Sequence, residues 1–186
     1  MTRAFSHIAG IDDVPFARDH RGDVAIVGAV FSGPRLEGVL SGRVRRDGAN
    51  ATERIAGMVG SSRFAPQLHA VLLQGIALAG FNVVDIRRLN ALLDTPVVVV
   101  ARRKPDLEAI RSALLDHVPG GRRKWQLIEQ AGPMEPVAGV HIQRAGIDTE
   151  RARALLQDHI RHGALPEPIR TAHLIAAGLG GSRQRA

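Results

Sequence analysis

The stretch DVAIVGAVFS, from Asp23 to Ser32, decides the fold class. It is rich in valine and isoleucine and ends in the turn Gly33-Pro34, which predicts a strand. Before it, His7 to Asp12 (HIAGID) predicts a shorter strand. After it, Leu36 to Arg45 alternates apolar and polar residues, as a half-exposed antiparallel strand does. The three segments predict an antiparallel meander at the start of the chain.

After the meander, helical and strand patterns alternate. Helices are predicted over Ala51–Val59, Val83–Leu93, Asp106–His117, Asp148 to about His162, and Ile169–Leu179. Strands are predicted at His69–Leu73, Pro96–Ala101 and Val140–Gln143, and the segment Pro119–Pro136 is predicted to be an exposed connection or a weak helix. A meander that leads into βαβ crossovers predicts an α/β fold, with a mixed sheet and helices on both faces. This plan resembles the ribonuclease H-like fold; a three-layer α/β arrangement with another strand order is the alternative.

Length and composition exclude several classes of protein. The chain has 186 residues, which predicts one domain over residues 1–186, and it has no cysteine, which excludes disulfides and thiolate metal sites. Its apolar runs are too short to span a bilayer, so no membrane contact is expected. The N-terminus lacks the apolar segment of a signal peptide, and a cytoplasmic location is therefore expected.

The charge balance is strongly basic and depends on arginine. The formal net charge is +7, and Lys104 and Lys124 are the only lysines. Arginine binds phosphate in a planar, bidentate way, which favours a nucleic-acid partner. Composition alone fits an evenly solvated basic surface equally well. Aromatic residues make up 3% of the chain, with no tyrosine, so stacking platforms for single strands are not expected.

Several carboxylates fall where an α/β sheet places its site. Asp12 and Asp13 close the first predicted strand, Asp47 follows the third, and Glu53 opens the first helix. Carboxylates that converge on one point can hold Mg²⁺ for phosphodiester hydrolysis. The structural alternative is a turn at Asp47-Gly48 and a favourable helix-dipole position for Glu53.

Three strings resemble endonuclease V: HIAGID at 7–12, VLLQG at 71–75 and LPEPIRTAH at 165–173. Two more, DGANATERI at 47–55 and GIALAGFNVVDI at 75–86, resemble a largely archaeal group related to endonuclease V and known as domain of unknown function 99. The matched strings span most of the chain. The resemblance therefore implies a single endonuclease V-like domain with a ribonuclease H-like fold.

Carried over by position, the resemblance implies a catalytic set of Asp12, Glu53, Gln74, Lys104 and His173. Asp12 and Glu53 would hold Mg²⁺ or Mn²⁺, and Lys104 would lie near the phosphate. The chain departs from endonuclease V where that family has aspartate, because Gln74 and His173 stand there. A neutral amide weakens Mg²⁺ binding, while histidine suits Mn²⁺ better and can protonate a leaving group.

Other polar residues each allow a functional and a structural interpretation. Arg102, Arg103 and Lys104 leave a buried strand, and Arg122, Arg123 and Lys124 stand beside Trp125; both runs can bind a nucleic-acid backbone or can be solvated loops. Asp85 is either a replacement carboxylate for the site or a polar position of its helix. Gly80-Phe81-Asn82 shapes a pocket, or Asn82 caps the helix that follows.

Two functions from different classes follow from these residues. The first is a divalent-metal-dependent nuclease that acts on DNA or RNA, with Asp13 or Asp47 completing the metal shell. The alternative is a catalytically degenerate module that binds nucleic acid without hydrolysing it, which the substitutions Gln74 and His173 favour. An enzyme acting on a small phosphorylated molecule is a third possibility.

Overall fold

A computed structural model describes residues 5–180 of the chain. Its strands are β1 His7–Asp13, β2 Asp23–Ser32, β3 Arg35–Arg45, β4 Ala70–Gln74, β5 Ala77–Leu78, β6 Asn82–Val83, β7 Val97–Ala101, β8 Glu135–Val137 and β9 Val140–Ala145. Its helices are α1 Ala51–Gly60, α2 Ile86–Leu93, α3 Leu107–His117, α4 Gly121–Gln130, α5 Thr149–His159 and α6 Glu167–Leu179. Within this range, no helix is long and apolar enough to cross a membrane.

Seven of the strands form one mixed sheet in the order β3-β2-β1-β4-β7-β9-β8. The strands β1, β4 and β7 run parallel, and every other pair in the sheet is antiparallel. β5 and β6 pair with each other in a separate small hairpin. The predicted meander and the mixed sheet are therefore confirmed.

Helices cover both faces of the sheet because the buried strands are apolar on both sides. Alternate residues of β1, such as Ala9 and Ile11, pack with Ile55 of α1 and Leu89 of α2. The residues between them, such as Ile8, pack on the opposite face with residues of α5 and α6. β3 lies at the outer edge of the sheet, and most of its residues are exposed.

The topology brings one end of every central strand to the same edge of the sheet. The parallel strands β1, β4 and β7 end there at Asp13, Gln74 and Ala101. β2 begins at this edge and β3 ends at it, since Asp23 pairs with Arg45. We call this end the carboxyl edge, and it is where α/β sheets generally place their ligand sites.

Two predicted segments differ from the structure. The range Pro119–Pro136, predicted to be a connection or weak helix, contains the ten-residue helix α4 and the first residues of β8. The predicted helix from Val83 starts later, at Ile86, because Val83 belongs to the β5-β6 hairpin and Asp85 is the N-cap of α2. The Asp85 carboxylate accepts a hydrogen bond from Arg88 N at 2.9 Å, so it serves the helix rather than the predicted site.

Candidate active site

Asp12 and His173 meet at the carboxyl edge, although 161 residues separate them in sequence. His173 Nδ1 lies 2.7 Å from Asp12 Oδ2. When Asp12 is ionised, its carboxylate can only accept a hydrogen bond, and the ring of His173 then carries a proton on Nδ1 and presents Nε2 to its surroundings. The His173 side chain is half exposed, whereas only 7% of the Asp12 side chain is. The pair thus joins a buried carboxylate to a solvent-facing imidazole.

The environment of Asp12 makes its carboxyl group harder to ionise than an exposed one. Burial raises the pKa of Asp12 to about 6, and the negative charge of Asp13 also acts to raise it, while the hydrogen bond from His173 acts to lower it. Asp13 N also donates to Asp12 Oδ1 at 2.9 Å. Carboxyl groups with a shifted pKa cluster at functional sites, because catalysis or binding requires a charged group at a buried position that folding alone disfavours.

Gln74 lies beside Asp12 at the end of the neighbouring strand. Ile11 pairs with Leu73, so the next residues along the two strands, Asp12 and Gln74, are adjacent and on the same face as α6. Gln74 Oε1 is buried without a hydrogen-bond partner. A cleft of about 400 Å³ opens here, and it is lined by Gln74, Gly75, Val100, Ala101, Arg102, Leu165 and His173. A buried amide oxygen without a partner calls for an explanation, and a rotation of the Gln74 side chain would present this oxygen to a ligand in the cleft.

Close packing between β1 and α6 holds His173 over Asp12. A Cβ built on Gly10 would lie 2.2 Å from the carbonyl carbon of Pro168 and 2.5 Å from Ile169 N. Pro168 and Ile169 belong to the first turn of α6, one helical turn before His173. The missing side chain at Gly10 therefore sets how near the helix approaches the strand.

Glu53, the other predicted metal ligand, lies on the opposite helix layer. It belongs to the first turn of α1, and its Oε1 lies 2.9 Å from Arg88 Nε in an exposed ion pair. It lines a second cleft, of about 620 Å³, which also contains Asp47, Asp85 and Lys124. Across residues 5–180, no three His, Asp or Glu side chains are grouped so that they could hold a metal ion. The structure therefore brings His173 to Asp12 but does not prearrange Glu53 with them.

Asp13 and Asp47, predicted to complete a metal shell, instead hold the β5-β6 hairpin. Asp13 Oδ2 accepts from Ala79 N at 2.7 Å, and Asp47 Oδ1 accepts from Phe81 N at 2.8 Å. Asp47 Oδ2 also lies 3.3 Å from Arg46 Nε. The two carboxylates fasten the hairpin beside the carboxyl edge.

Asn82 organises the start of α1 rather than that of α2. It is fully buried; its Oδ1 accepts from Ala51 N at 3.0 Å, and its Nδ2 donates to Arg45 O and Asn50 Oδ1, each at 2.8 Å. The prediction that Asn82 caps the following helix was wrong, because Asp85 takes that role. Asn82 replaces the side-chain cap that Asn50 does not provide, and so orients the turn that carries Glu53.

We expect Asn82→Ala to lower the free energy of unfolding by about 2–4 kcal/mol, because Ala51 N would lose its partner in a buried hydrogen bond and the two partly buried bonds that Asn82 Nδ2 donates would also be lost. Urea denaturation followed by circular dichroism measures this change. Gln157→Ala, at an exposed position of α5, is the control and should change stability by less than about 0.5 kcal/mol. Equal midpoints for Asn82→Ala and the wild type would show that the network is not stabilising.

The predicted basic residues fall into three environments. Arg102, Arg103 and Lys104 are exposed at the end of β7, and Arg122 and Arg123 are exposed on α4. Lys124 is only 5% exposed, and its Nζ donates to Asp47 O at 2.5 Å. Burial lowers the pKa of Lys124, although Asp47 opposes this. Lys124 thus ties α4 to the segment after β3 and is not a surface contact for nucleic acid.

Sequence reasoning missed a basic cleft at the outer end of the carboxyl edge. Residues 18–22 and 45–47 line a cavity of about 500 Å³, which contains the four arginines Arg18, Arg21, Arg45 and Arg46. The signal was the arginine-rich run at 43–46, RVRR, directly after a strand whose end lies at this edge. It is recognisable only once the topology is known.

The sequence matches the family described as endonuclease dU over residues 4–180. A UPF0215 protein of Deinococcus radiodurans is 59% identical over 174 residues, covering 94% of this chain and 89% of the relative. A UPF0215 protein of Methanothermobacter thermautotrophicus is 43% identical over 182 residues, covering 95% of this chain and 89% of the relative.

Solved structures show the same fold. A protein of unknown function from Archaeoglobus fulgidus superposes with a TM-score of 0.87 at 36% identity, covering 94% of this chain and 98% of that one. Human ENDOV gives a TM-score of 0.59 at 20% identity, covering 92% and 83%. Endonuclease V of Ciona intestinalis was solved in complex with a DNA that contains an inosine followed by a ribo-adenosine. It gives a TM-score of 0.56 at 13% identity, covering 92% of this chain and 84% of that one. The predicted ribonuclease H-like fold is confirmed.

Proposed function

From the fact that this chain belongs to the endonuclease dU family, we propose that it is a divalent-metal-dependent endonuclease that cuts DNA at or beside deoxyuridine. The observation that carries the proposal is the Asp12–His173 pair, with a distance of 2.7 Å, at the centre of the carboxyl edge. The family's description supplies the substrate base, and the structures of endonuclease V in complex with DNA support a nucleic-acid substrate.

The residues around Asp12 fit a hard divalent cation. Gln74 Oε1 is buried without a partner, and each Asp12 oxygen keeps a second lone pair beyond its one hydrogen bond. Asp12 and Gln74 would hold Mg²⁺ or Mn²⁺, and Glu53 would join them if its exposed side chain left Arg88. Such an ion lowers the pKa of a water molecule and offsets charge on the phosphate. Because Gln74 adds no charge, the site should bind Mg²⁺ or Mn²⁺ more weakly than one with a carboxylate at this position.

The side chains of the chain itself have separable tasks in this proposal. Asp12 accepts the Nδ1 hydrogen bond and so fixes the ring of His173. When the ring carries a second proton on Nε2, it can pass that proton to the leaving oxygen and return to the neutral form. Arg102 lines the same cleft as His173 and adds positive charge where the phosphate would lie. Lys104, two residues further on and exposed, is proposed to contact a neighbouring phosphate.

The second candidate is a module that binds nucleic acid but does not cut it. Two observations favour it: Gln74 is neutral, and Glu53 pairs with Arg88 on the opposite helix layer from His173. Under this alternative the carboxyl edge keeps its basic residues for binding, while Asp12 has no chemical task. Metal-dependent product formation separates the two functions.

We expect the protein with Mn²⁺ to nick duplex DNA that contains one deoxyuridine, and to leave the same duplex with thymidine intact. The measurement is denaturing electrophoresis of end-labelled strands, with inosine-containing DNA and matched RNA as further substrates. His173→Ala should slow cleavage by about 10²-fold, the usual size of a general-acid effect. His162→Ala, at an exposed position away from the site, should cut at the wild-type rate. Binding without any cleavage under all metals would favour the module.

A further inference from the structure

The carboxyl edge carries two separate groups of cations. The outer arginine cleft consists of Arg18, Arg21, Arg45 and Arg46. The inner basic turn consists of Arg102, Arg103 and Lys104, which follow β7. The inner turn was predicted from sequence to bind nucleic acid, but nothing in the sequence pattern linked the outer cleft to it.

The strand order places Asp12 midway between the two groups. β1, which carries Asp12, is two strands from β3 on one side and two strands from β7 on the other. With neighbouring strands about 4.8 Å apart, each group lies roughly 10 Å from the end of β1, and the groups are roughly 19 Å apart. The cations therefore flank the carboxylate rather than surround it.

The outer cleft keeps arginines available for a ligand. Arg18 and Arg21 are exposed, and the guanidinium of Arg45 is 3.8 Å from Asp23, a distance at which an exposed ion pair contributes little. Arg46 is fixed by its contact with Asp47, by a hydrogen bond to His20 O and by its position 5.4 Å above the Phe16 ring. The cleft lining holds four arginines against the two aspartates Asp19 and Asp47, which leaves it net positive.

The spacing suits the backbone of a double helix. Phosphates of one strand advance about 3.4 Å per base pair along the axis, so roughly 19 Å corresponds to five or six base pairs. Arginine binds phosphate through two parallel hydrogen bonds, which suits a rigid backbone. The chain has five phenylalanines, one tryptophan and no tyrosine, which disfavours stacking of unpaired bases.

We infer that the outer arginine cleft and the inner basic turn bind the backbone of double-stranded DNA on opposite sides of the phosphate that lies at Asp12. The inference rests on the proposed function for the position of that phosphate. It assigns Arg18, Arg21 and Arg45 to substrate binding, and it requires a duplex that extends several base pairs to each side. Arg46 positions the cleft and contributes charge.

The test is the double charge reversal Arg18→Glu with Arg21→Glu. Fluorescence anisotropy with a labelled duplex of roughly 24 base pairs, in the presence of a chelator, measures binding without cleavage. We expect the Kd to rise by about 10- to 100-fold. The slope of log Kd against log salt should fall by about 2, because each of the two arginines would neutralise one phosphate. The matched control reverses Arg35 and Arg161, two exposed arginines at the opposite end of the sheet.

Three outcomes would overturn the inference: equal affinities for the two double variants, wild-type binding that is tighter for a single strand than for the duplex, or no wild-type binding to the duplex. Cleavage decides the proposed function separately. Wild-type protein that cuts deoxyuridine DNA, together with an unaffected Arg18→Glu, Arg21→Glu variant, would keep the proposed function and reject duplex binding by the outer arginine cleft. Weaker binding by that variant, without any cleavage by the wild type, would support duplex binding by the outer arginine cleft in a module that does not cut DNA.

Discussion

Asp12→Asn should abolish cleavage and at the same time make the protein more stable at neutral pH. The substitution removes the carboxylate that contacts His173, so we expect activity to fall by about 10³-fold or more. It also removes a buried negative charge. Opposite effects on activity and stability are typical of residues that the fold keeps for chemistry rather than for packing.

The effect on stability should depend on pH. In the folded protein the pKa of Asp12 is raised to about 6 by burial, whereas in the unfolded chain its pKa is about 4. A group with a raised pKa stabilises the fold below about pH 4, and this contribution is lost as the pH rises through about 6. The difference corresponds to at most about 3 kcal/mol. Asp12→Asn should therefore gain about 1–3 kcal/mol at pH 7–8 and nothing at pH 4.

Thermal and urea unfolding at both pH values measure this difference. Asp116→Asn, which removes one exposed carboxylate from α3, is the control and should show no comparable gain. A lower stability of Asp12→Asn at pH 8 would contradict the expected cost of burying the charge of Asp12. It would mean that the bond to His173 outweighs the cost of burying the charge.

Gly10→Ala is expected to destabilise the protein more than any other substitution proposed for it. The new Cβ would lie 2.2–2.5 Å from three backbone atoms of Pro168 and Ile169, and backbone cannot move aside as a flexible side chain can. Helix α6 would have to retreat from β1, which would empty part of the core around Ile8 and Ile169. We expect a cost of about 3–5 kcal/mol, with unfolding at ambient temperature as the extreme result.

Gly57→Ala is the matched control, since it makes the same chemical change inside a helix where a Cβ would meet no atom within 4 Å. It should stabilise the protein by about 0.5–1 kcal/mol. If Gly10→Ala folds, cleavage should still fall, because retreat of α6 separates His173 from Asp12. Wild-type melting temperature and activity in Gly10→Ala would show that the packing of α6 on β1 is looser than these distances imply.

The strands and helices that could be predicted from sequence are those that their own residues stabilise. The valine-rich strands β2 and β7 could be predicted because runs of apolar β-branched residues favour strands over other structures. Helices α3 and α5 are capped by Asp106 and Asp148, whose side chains accept hydrogen bonds from the first turn.

Helix α4 is different, because its stability comes from contacts with residues outside the helix. It begins with glycine and two arginines and has no side-chain cap, which is unfavourable locally. Tertiary contacts compensate: Gly121 fits against the backbone of Leu114, and Lys124 reaches Asp47. The same contact explains why one of three consecutive cations is buried, since only the helix orientation decides which of them faces inward.

The candidate site was predictable only in part for the same reason. Asp12 follows from its position at the end of a strand, and the resemblance to endonuclease V marked His173 and Gln74. That Asp12 and His173 touch depends on the path of α6, which no local pattern encodes. Asn82 was assigned to the wrong helix because its partners Arg45 and Ala51 are more than 30 residues away.

The outer strand β3 has a consequence for the behaviour of the protein in a crowded solution. Its eleven residues pair with a strand on one side only, and such an edge can accept a foreign strand and lead to fibre growth. Arginines stand at both ends of the strand, and Glu37 and Arg43 are exposed between them. An added strand would have to strip water from these charges, so we expect the protein to resist aggregation although its margin is open.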